Sequence, residues 1–327
     1  MRKDGAKGDW KTMRMNSAKG DLDFELYPGL AFRGKWNRKP YKLIRKLGAG
    51  VTGYVYLAEG ETGSVALKIG TEPMSITAEA NVLKQFSKVQ GKPLGPCLFD
   101  VDDFLSTNSV LPFYAMEYIE GENFVDFLRG KGPEWLPVLA LQLLSALSAL
   151  HQQGWVFGDL KPENVIVTRR SAEVRLLDVG GTTRVGRAIK EYTEYYDRGY
   201  WEQGTRKAEP TYDLFAAAMM VVDCAYPRQV KKERGNTASQ LKKLIYQAPL
   251  LKPYREIVYK ALMGGYGSAE AMKNDFLASV KQTEERSRVK RKQQHKVRKQ
   301  KGAPIDLILV MSFVLILFVL YLLIQSF

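Results

Sequence analysis

Cysteine is scarce: the 327 residues contain only Cys97 and Cys224, far apart and without a second pair. That excludes a disulfide framework and a cysteine-type zinc site, and fits a reducing compartment in which both thiols are packed. The opening 21 residues, MRKDGAKGDWKTMRMNSAKGD, lack the apolar core that a secretory signal requires, so no cleavage is expected. Acids are missing between Arg286 and Lys301, a stretch whose nine basic residues account for nine of the formal net +14. Charge of either sign is missing from Leu307 to Ile324, LILVMSFVLILFVLYLLI. At about 1.5 Å per residue this stretch spans roughly 27 Å, close to the hydrocarbon thickness of a bilayer, and reads as a transmembrane helix.

With the basic run on its N-terminal side, positive charge is expected to stay inside. The expected localisation is therefore the cell membrane, by a single-pass C-terminal anchor, with the remainder cytoplasmic and no extracellular sensor. The basic run admits three readings: a solvated stretch that only sets topology, a contact for anionic lipid headgroups, or a nucleic-acid contact. With few aromatics it offers no stacking platform, so nucleic-acid binding there would be sequence-tolerant and salt-dependent. The expected organisation is a leader at 1–40, a globular domain at 41–281, a basic juxtamembrane segment at 282–304, a membrane helix at 305–324 and a tail at 325–327. A composition 45% hydrophobic and 26% charged is that of an ordinary globular protein.

What is present is FGDLKPENVIV, which sets Asp159, Lys161 and Asn164 in one loop. A carboxylate that orients an attacking hydroxyl, an amide that holds a metal ion and a lysine that neutralises a migrating phosphoryl need that spacing. Upstream, YKLIRKL from Tyr41 reads as a strand, and GAGVTGYV follows at once. Gly48, Gly50 and Gly53 permit close backbone approach to phosphates, and Val55 on the return strand can cover one face of an adenine; an ordinary hairpin turn would look the same. VALK is a β-branched strand ending in Lys68, placed to reach the α and β phosphates, and TAEANVLKQF is a helix offering Glu79 as its partner. Glu72 is the weaker choice because Pro73 follows it.

FYAMEYIEGENFVDFL reads as a strand ending at Met116, a connector at Glu117 to Ile119 whose backbone can bind an adenine edge, and a helix. Met116 and Tyr118 read equally well as core. LPVLALQLLSALSALHQQG is a buried helix ending at Gly154, in which His151 reads as a core or C-cap histidine, not a catalyst. EVRLLDVGG gives a strand ending in Asp178, a candidate magnesium ligand.

In this order the motifs resemble the Hanks-type protein kinase family from about Tyr41 to Lys281. The resemblance implies an α+β, two-lobed fold, a β-rich N-lobe over a helical C-lobe, here followed by one C-terminal transmembrane helix. It also implies ATP with Mg2+, Mn2+ being the alternative ion, and protein substrates. The implied roles are a phosphate-covering loop at Gly48, Gly50 and Gly53, an ion pair of Lys68 with Glu79, and a catalytic base at Asp159. Lys161 would contact the γ-phosphate and favour Ser or Thr acceptors, Asn164 and Asp178 would hold metal, and Ala66 with Ile166 would sandwich adenine.

Three departures stand out. Phe157-Gly158-Asp159 lacks the arginine that would receive a phosphorylated activation segment; Val179 replaces a phenylalanine, a smaller plug beside Asp178; and Tyr200-Trp201-Glu202 stands for Ala-Pro-Glu, so the docking region is the least defined. Thr182, Thr183, Thr193, Tyr195 and Tyr196 are candidate autophosphorylation positions. Self-association of membrane-tethered copies would favour phosphorylation in trans. Two rival readings stay open: a small-molecule phosphotransferase and a pseudokinase scaffold.

Overall fold

The computed structural model describes residues 26–50, 52–86, 93–106 and 109–325, apart from the side chains of 287 and 290–308. Most of the expected leader, the side chains of much of the basic run and the last two residues therefore lie outside the described residues. Two compact bodies are distinguished, 1–274 and 275–327.

The first body opens with a six-stranded antiparallel sheet. Its strands are β1 (Ala31–Arg33), β2 (Pro40–Ala49), β3 (Gly53–Gly60), β4 (Gly63–Gly70), β5 (Leu98–Leu105) and β6 (Val110–Glu117), in the order β1-β2-β3-β4-β6-β5. β4 and β6 lie centrally, and their apolar runs are buried accordingly. The edges are tied together: Asp102 on β5 accepts the N–H groups of Trp36 (2.9 Å) and Asn37 (2.7 Å), and the Tyr41 hydroxyl donates to Asp100 at 2.8 Å. Phe32 of β1 packs on Phe104 and Phe113. The sheet thus curls, and it starts ten residues before the expected domain boundary at 41, because a three-residue strand is too short to show alternation. Helix α1 (Pro73–Phe86) turns Ile76, Glu79, Ala80, Leu83 and Phe86 inward at helical spacing.

A connector and β7 (Gly121–Asn123) lead to α2 (Phe124–Lys131), whose first turn is capped by the Asn123 side chain, and to α3 (Leu136–Gln152). The chain then forms β8 (Trp155–Val156), β9 (Val165–Thr168), β10 (Val174–Leu176) and β11 (Thr183–Arg184), with pairing in the orders β10-β9-β7 and β11-β8. β10 ends two residues before Asp178, not at it. The rest is helical: α4 (Pro210–Cys224), buried from Tyr212 to Asp223, then α5 (Thr237–Gln247), α6 (Arg255–Leu262) and α7 (Ala269–Gln325).

The second body is α7 beyond residue 274. Its apolar stretch Leu309–Gln325 is 17 residues long, and its large side chains lie open along the helix. Among the described residues one stretch passes a length-and-hydropathy test for crossing a membrane, Pro133–Gln152, and half of it is buried in the first body as a core helix.

Candidate active site

Lys68 projects from β4, and Glu79 from the inward face of α1, to an Nζ–Oε2 distance of 2.6 Å, with both side chains about 5% exposed or less. Two residues that the sequence did not mark complete this cluster. The Tyr114 hydroxyl donates to Glu79 Oε2 (2.9 Å), and Thr52, in the glycine turn, donates to Oε1 (2.8 Å). Lys68 also lies 3.4 Å from Asp178. Burial opposes charge on Lys68, but the carboxylates of Asp178 and Glu79 outweigh it and hold the ammonium pKa above its ordinary value. Burial, then the Glu79 charge, raises the Tyr114 phenol, which stays a donor.

The glycines divide by cause. A Cβ on Gly53 would lie 2.3 Å from the Ile69 carbonyl oxygen, so strand packing alone requires glycine there. Gly48 and Gly50 have no such neighbour: they face open room.

The catalytic-loop motif hangs from Asp213, at the start of α4 and fully buried. Its carboxylate accepts the N–H groups of Phe157 (2.8 Å) and Gly158 (2.9 Å) and meets His151 Nε2 at 2.8 Å. His151 is thus a core histidine held through Nε2, while its buried Nδ1 has no partner among the described residues. Gly158 has φ +86°, and a Cβ there would lie 2.7 Å from the Gly181 carbonyl oxygen. The residue standing where the family has arginine therefore occupies a conformation that suits glycine.

Beyond it, Asp159 Oδ2 receives Lys161 Nζ at 2.5 Å and Oδ1 receives the Thr193 hydroxyl at 3.0 Å. Asn164 donates its amide to the Asp159 carbonyl at 2.9 Å, which leaves its side-chain oxygen for a cation. Asp178 is left-handed (φ 40°), with its side chain 44% exposed. Val179 behind it is 1% exposed, so the smaller plug is packed. One carboxylate and one amide oxygen make a donor set that fits a divalent cation, and the lysine shared between acids suits the phosphates that such a cation would carry.

Of the expected adenine-binding residues, Ala66 stands opposite Met116 across β4 and β6, and Val55 opposite Lys68 across β3 and β4. Ile166 is on β9, opposite Asn123. Ile119 lies in the connector after β6. The Glu117 carboxylate is committed elsewhere: it accepts Arg175 Nη2 (2.9 Å) and the Cys97 N–H (3.2 Å), and Arg175 also donates to the Gly95 carbonyl at 2.6 Å. The Glu117 N–H is taken as well, by the Cys97 carbonyl at 2.9 Å.

The segment after Asp178 was least legible. Asp197, fully buried, accepts from Gly199 and Tyr200 N–H, Arg206 Nε (2.8 Å) and the Tyr212 hydroxyl (2.9 Å). Arg198 donates to the carbonyls of Thr205 and Lys207 and to the Thr211 hydroxyl, and pairs with Glu209 at 3.4 Å. Trp201 is fully buried, and Glu202, at φ 59°, pairs with Lys232 at 2.7 Å. Among the candidate phosphorylation positions, Thr182, Thr183, Tyr195 and Tyr196 are all buried, and Thr193 is half-buried on Asp159. In this conformation none of the five residues is exposed, because the segment is folded onto the lobe.

Comparison with known proteins agrees with this geometry. The protein kinase domain family model matches residues 41–297. The serine/threonine-protein kinase YabT of Bacillus subtilis is 50% identical over 293 residues, covering 89% of this chain and 86% of its own length. Two longer proteins are similar over parts. The serine/threonine-protein kinase pkn2 of Myxococcus xanthus is 33% identical over 43% of the chain and 18% of its own length. PknD of Mycobacterium tuberculosis is 30% identical over 57% and 29%. With a site of this composition and a match over most of its length, the chain belongs to the protein kinase family, in its bacterial Hanks-type branch.

Proposed function

We propose that this chain, an ATP-dependent serine/threonine protein kinase, transfers the γ-phosphoryl of ATP to protein hydroxyls through the residues gathered around Asp159. The observation that carries the reading is the convergence of Lys68, Glu79 and Asp178 across one cleft, with Asp159, Lys161 and Asn164 bonded to one another in one loop. Asp159 orients the acceptor hydroxyl and takes its proton, while Lys161 balances charge beside it. Lys68, steadied by Glu79, holds the α and β phosphates under the backbone of Gly48, Gly50 and Gly53. Val55, Ala66 and Ile166 cover the adenine faces, and backbone groups of Glu117 and Ile119 meet its edge. Asp178 and Asn164 would hold Mg2+, or Mn2+, which when bound neutralises phosphate charge. The reaction rests on positioning and charge stabilisation.

The kinase domain is read as cytoplasmic and tethered to the cell membrane by α7, supported by the open apolar side chains from Leu309 to Ile324. The run from Arg286 to Lys301 sits where anionic lipid or sequence-tolerant nucleic acid would bind. Tethered copies would meet in two dimensions and phosphorylate in trans. Transfer from labelled ATP to protein Ser or Thr by the full chain in detergent, compared with Asp159→Asn, tests the catalytic reading; label in the variant would contradict it. Recovery of the full chain in washed membranes, against release of a chain ending at Lys301, tests the anchor.

A further inference from the structure

The segment between β11 and α4 builds a small antiparallel platform. Gly186 N–H donates to the Ala208 carbonyl (2.8 Å), Ala208 N–H to the Arg187 carbonyl (2.7 Å) and Ile189 N–H to the Arg206 carbonyl (2.9 Å), with Ala188 facing Lys207. Ile189 and Ala208 are buried, so pleat alternation turns Lys190 and Lys207 to solvent, and Arg184 and Arg187 are exposed beside them. Arg206 is neutralised by Asp197, and Arg198 by Glu209. Arg187, Lys190 and Lys207 have no ion pair among the described residues. Against them stand exposed Glu194, Glu202, which is taken by Lys232, and Glu191, which is half-buried toward the cleft. The loop after α4 extends the same sign with exposed Arg228 and Lys231, and its Gln229 and Lys232 bond to Tyr196 and Tyr200 of the segment.

This face adjoins the reacting centre, since Thr193, three residues after Lys190, is bonded to both Asp159 and Lys161. A hydroxyl presented to Asp159 arrives next to Thr193, at the edge of this face. We infer that the platform is a specificity surface: Arg187, Lys190 and Lys207 select acceptor hydroxyls flanked by aspartate or glutamate. The inference rests on the kinase reading and names its substrate class. Nucleic acid is the less suited occupant, because the rings it would stack on are already covered: Arg184 lies 3.9 Å above Trp155 and Arg206 lies 4.1 Å above Tyr192.

The test uses the full chain in detergent and two serine peptides that differ only by Asp and Glu against Asn and Gln around the acceptor. From three cation–carboxylate contacts, the acidic peptide should have about tenfold higher kcat/KM, falling as salt rises. In Arg187→Glu/Lys190→Glu/Lys207→Glu the ratio, measured within one enzyme and therefore indifferent to the folded fraction, should fall to one or invert. A ratio of one in the unaltered chain overturns the inference and leaves the kinase reading standing, because label is still transferred. A ratio kept in the triple variant, with loss of binding to a fluorescent DNA duplex, assigns the face to nucleic acid and also overturns it.

Discussion

The cleft and the segment behind it solve the same problem, fixing charged groups inside a protein, in different ways. In the cleft the charges are shared: Lys68 between Glu79 and Asp178, Asp159 between Lys161 and Thr193. In the segment the buried charges are spent on the fold, with Asp197 and Arg198 enclosed and their bonding capacity turned to backbone, Arg206 and Tyr212. Chemistry restricts which residue can stand in the first place; mechanics does not restrict the second. The departures from the family's pattern accordingly cluster at 157–158, 179 and 200–202, which position, while the groups that would touch phosphate or metal are kept.

The largest effect should come from the cleft. Asp178→Asn should cut transfer by about a thousandfold or more while thermal unfolding stays near that of the unaltered chain, since the side chain is half open. A comparable loss of stability would erase the contrast between the two regions. Asp197→Ala should do the reverse, costing about 3 kcal/mol or more in denaturant unfolding, because Arg206, Tyr212 and two N–H groups lose a buried acceptor. Its KM for protein substrate should rise more than its KM for ATP; an unchanged unfolding midpoint would break the comparison. Gly158→Arg, which restores the family's residue, should destabilise by about 2 kcal/mol from the left-handed backbone and the close Gly181 carbonyl, and should not add activity. A stable, more active variant would show that the arginine was lost by drift.

High pH should loosen the segment next. Burial and then Asp223 raise the Tyr196 phenol, and burial and then Asp197 raise Tyr212. Both stay protonated in the fold after the unfolded chain has begun to ionise near its ordinary value of about 10. Stability is therefore whole below that pH and should fall above it by up to about 1.4 kcal/mol per unit for each phenol. Denaturant midpoints from pH 9 to 11 would show it, and Tyr196→Phe should flatten the slope. Tyr114→Phe should have the smallest effect, about 1 kcal/mol, through the lost donor to Glu79.

The types and order of Lys68, Glu79, Asp159, Lys161, Asn164 and Asp178 marked them in the sequence, and the structure brings Lys68 to Glu79 and Asp178, and Lys161 and Asn164 to Asp159. Thr52 and Tyr114 were not marked, since their bonds to Glu79 join residues 27 and 35 positions apart, and a threonine in a turn or a tyrosine in a core strand looks ordinary. Nothing in the sequence marked Asp213 as the acceptor that shapes the loop. Asp197 and Arg198 gave no signal, because each serves by three-dimensional enclosure. In the fold, strands and helices with clear alternation or helical spacing were readable, whereas β1 was too short and the end of β10 was set by the turn at Asp178.

The tie from Arg175 to Glu117 and Gly95 has a consequence for turnover. It joins the connector between the lobes to β10, the strand that runs toward Asp178, so the cleft cannot gape without straining a buried guanidinium. The tie is therefore expected to slow opening, and with it escape of spent nucleotide. Arg175→Ala should hasten nucleotide departure in a stopped-flow trace and weaken retention of ATP, and unaltered departure would place the gate elsewhere.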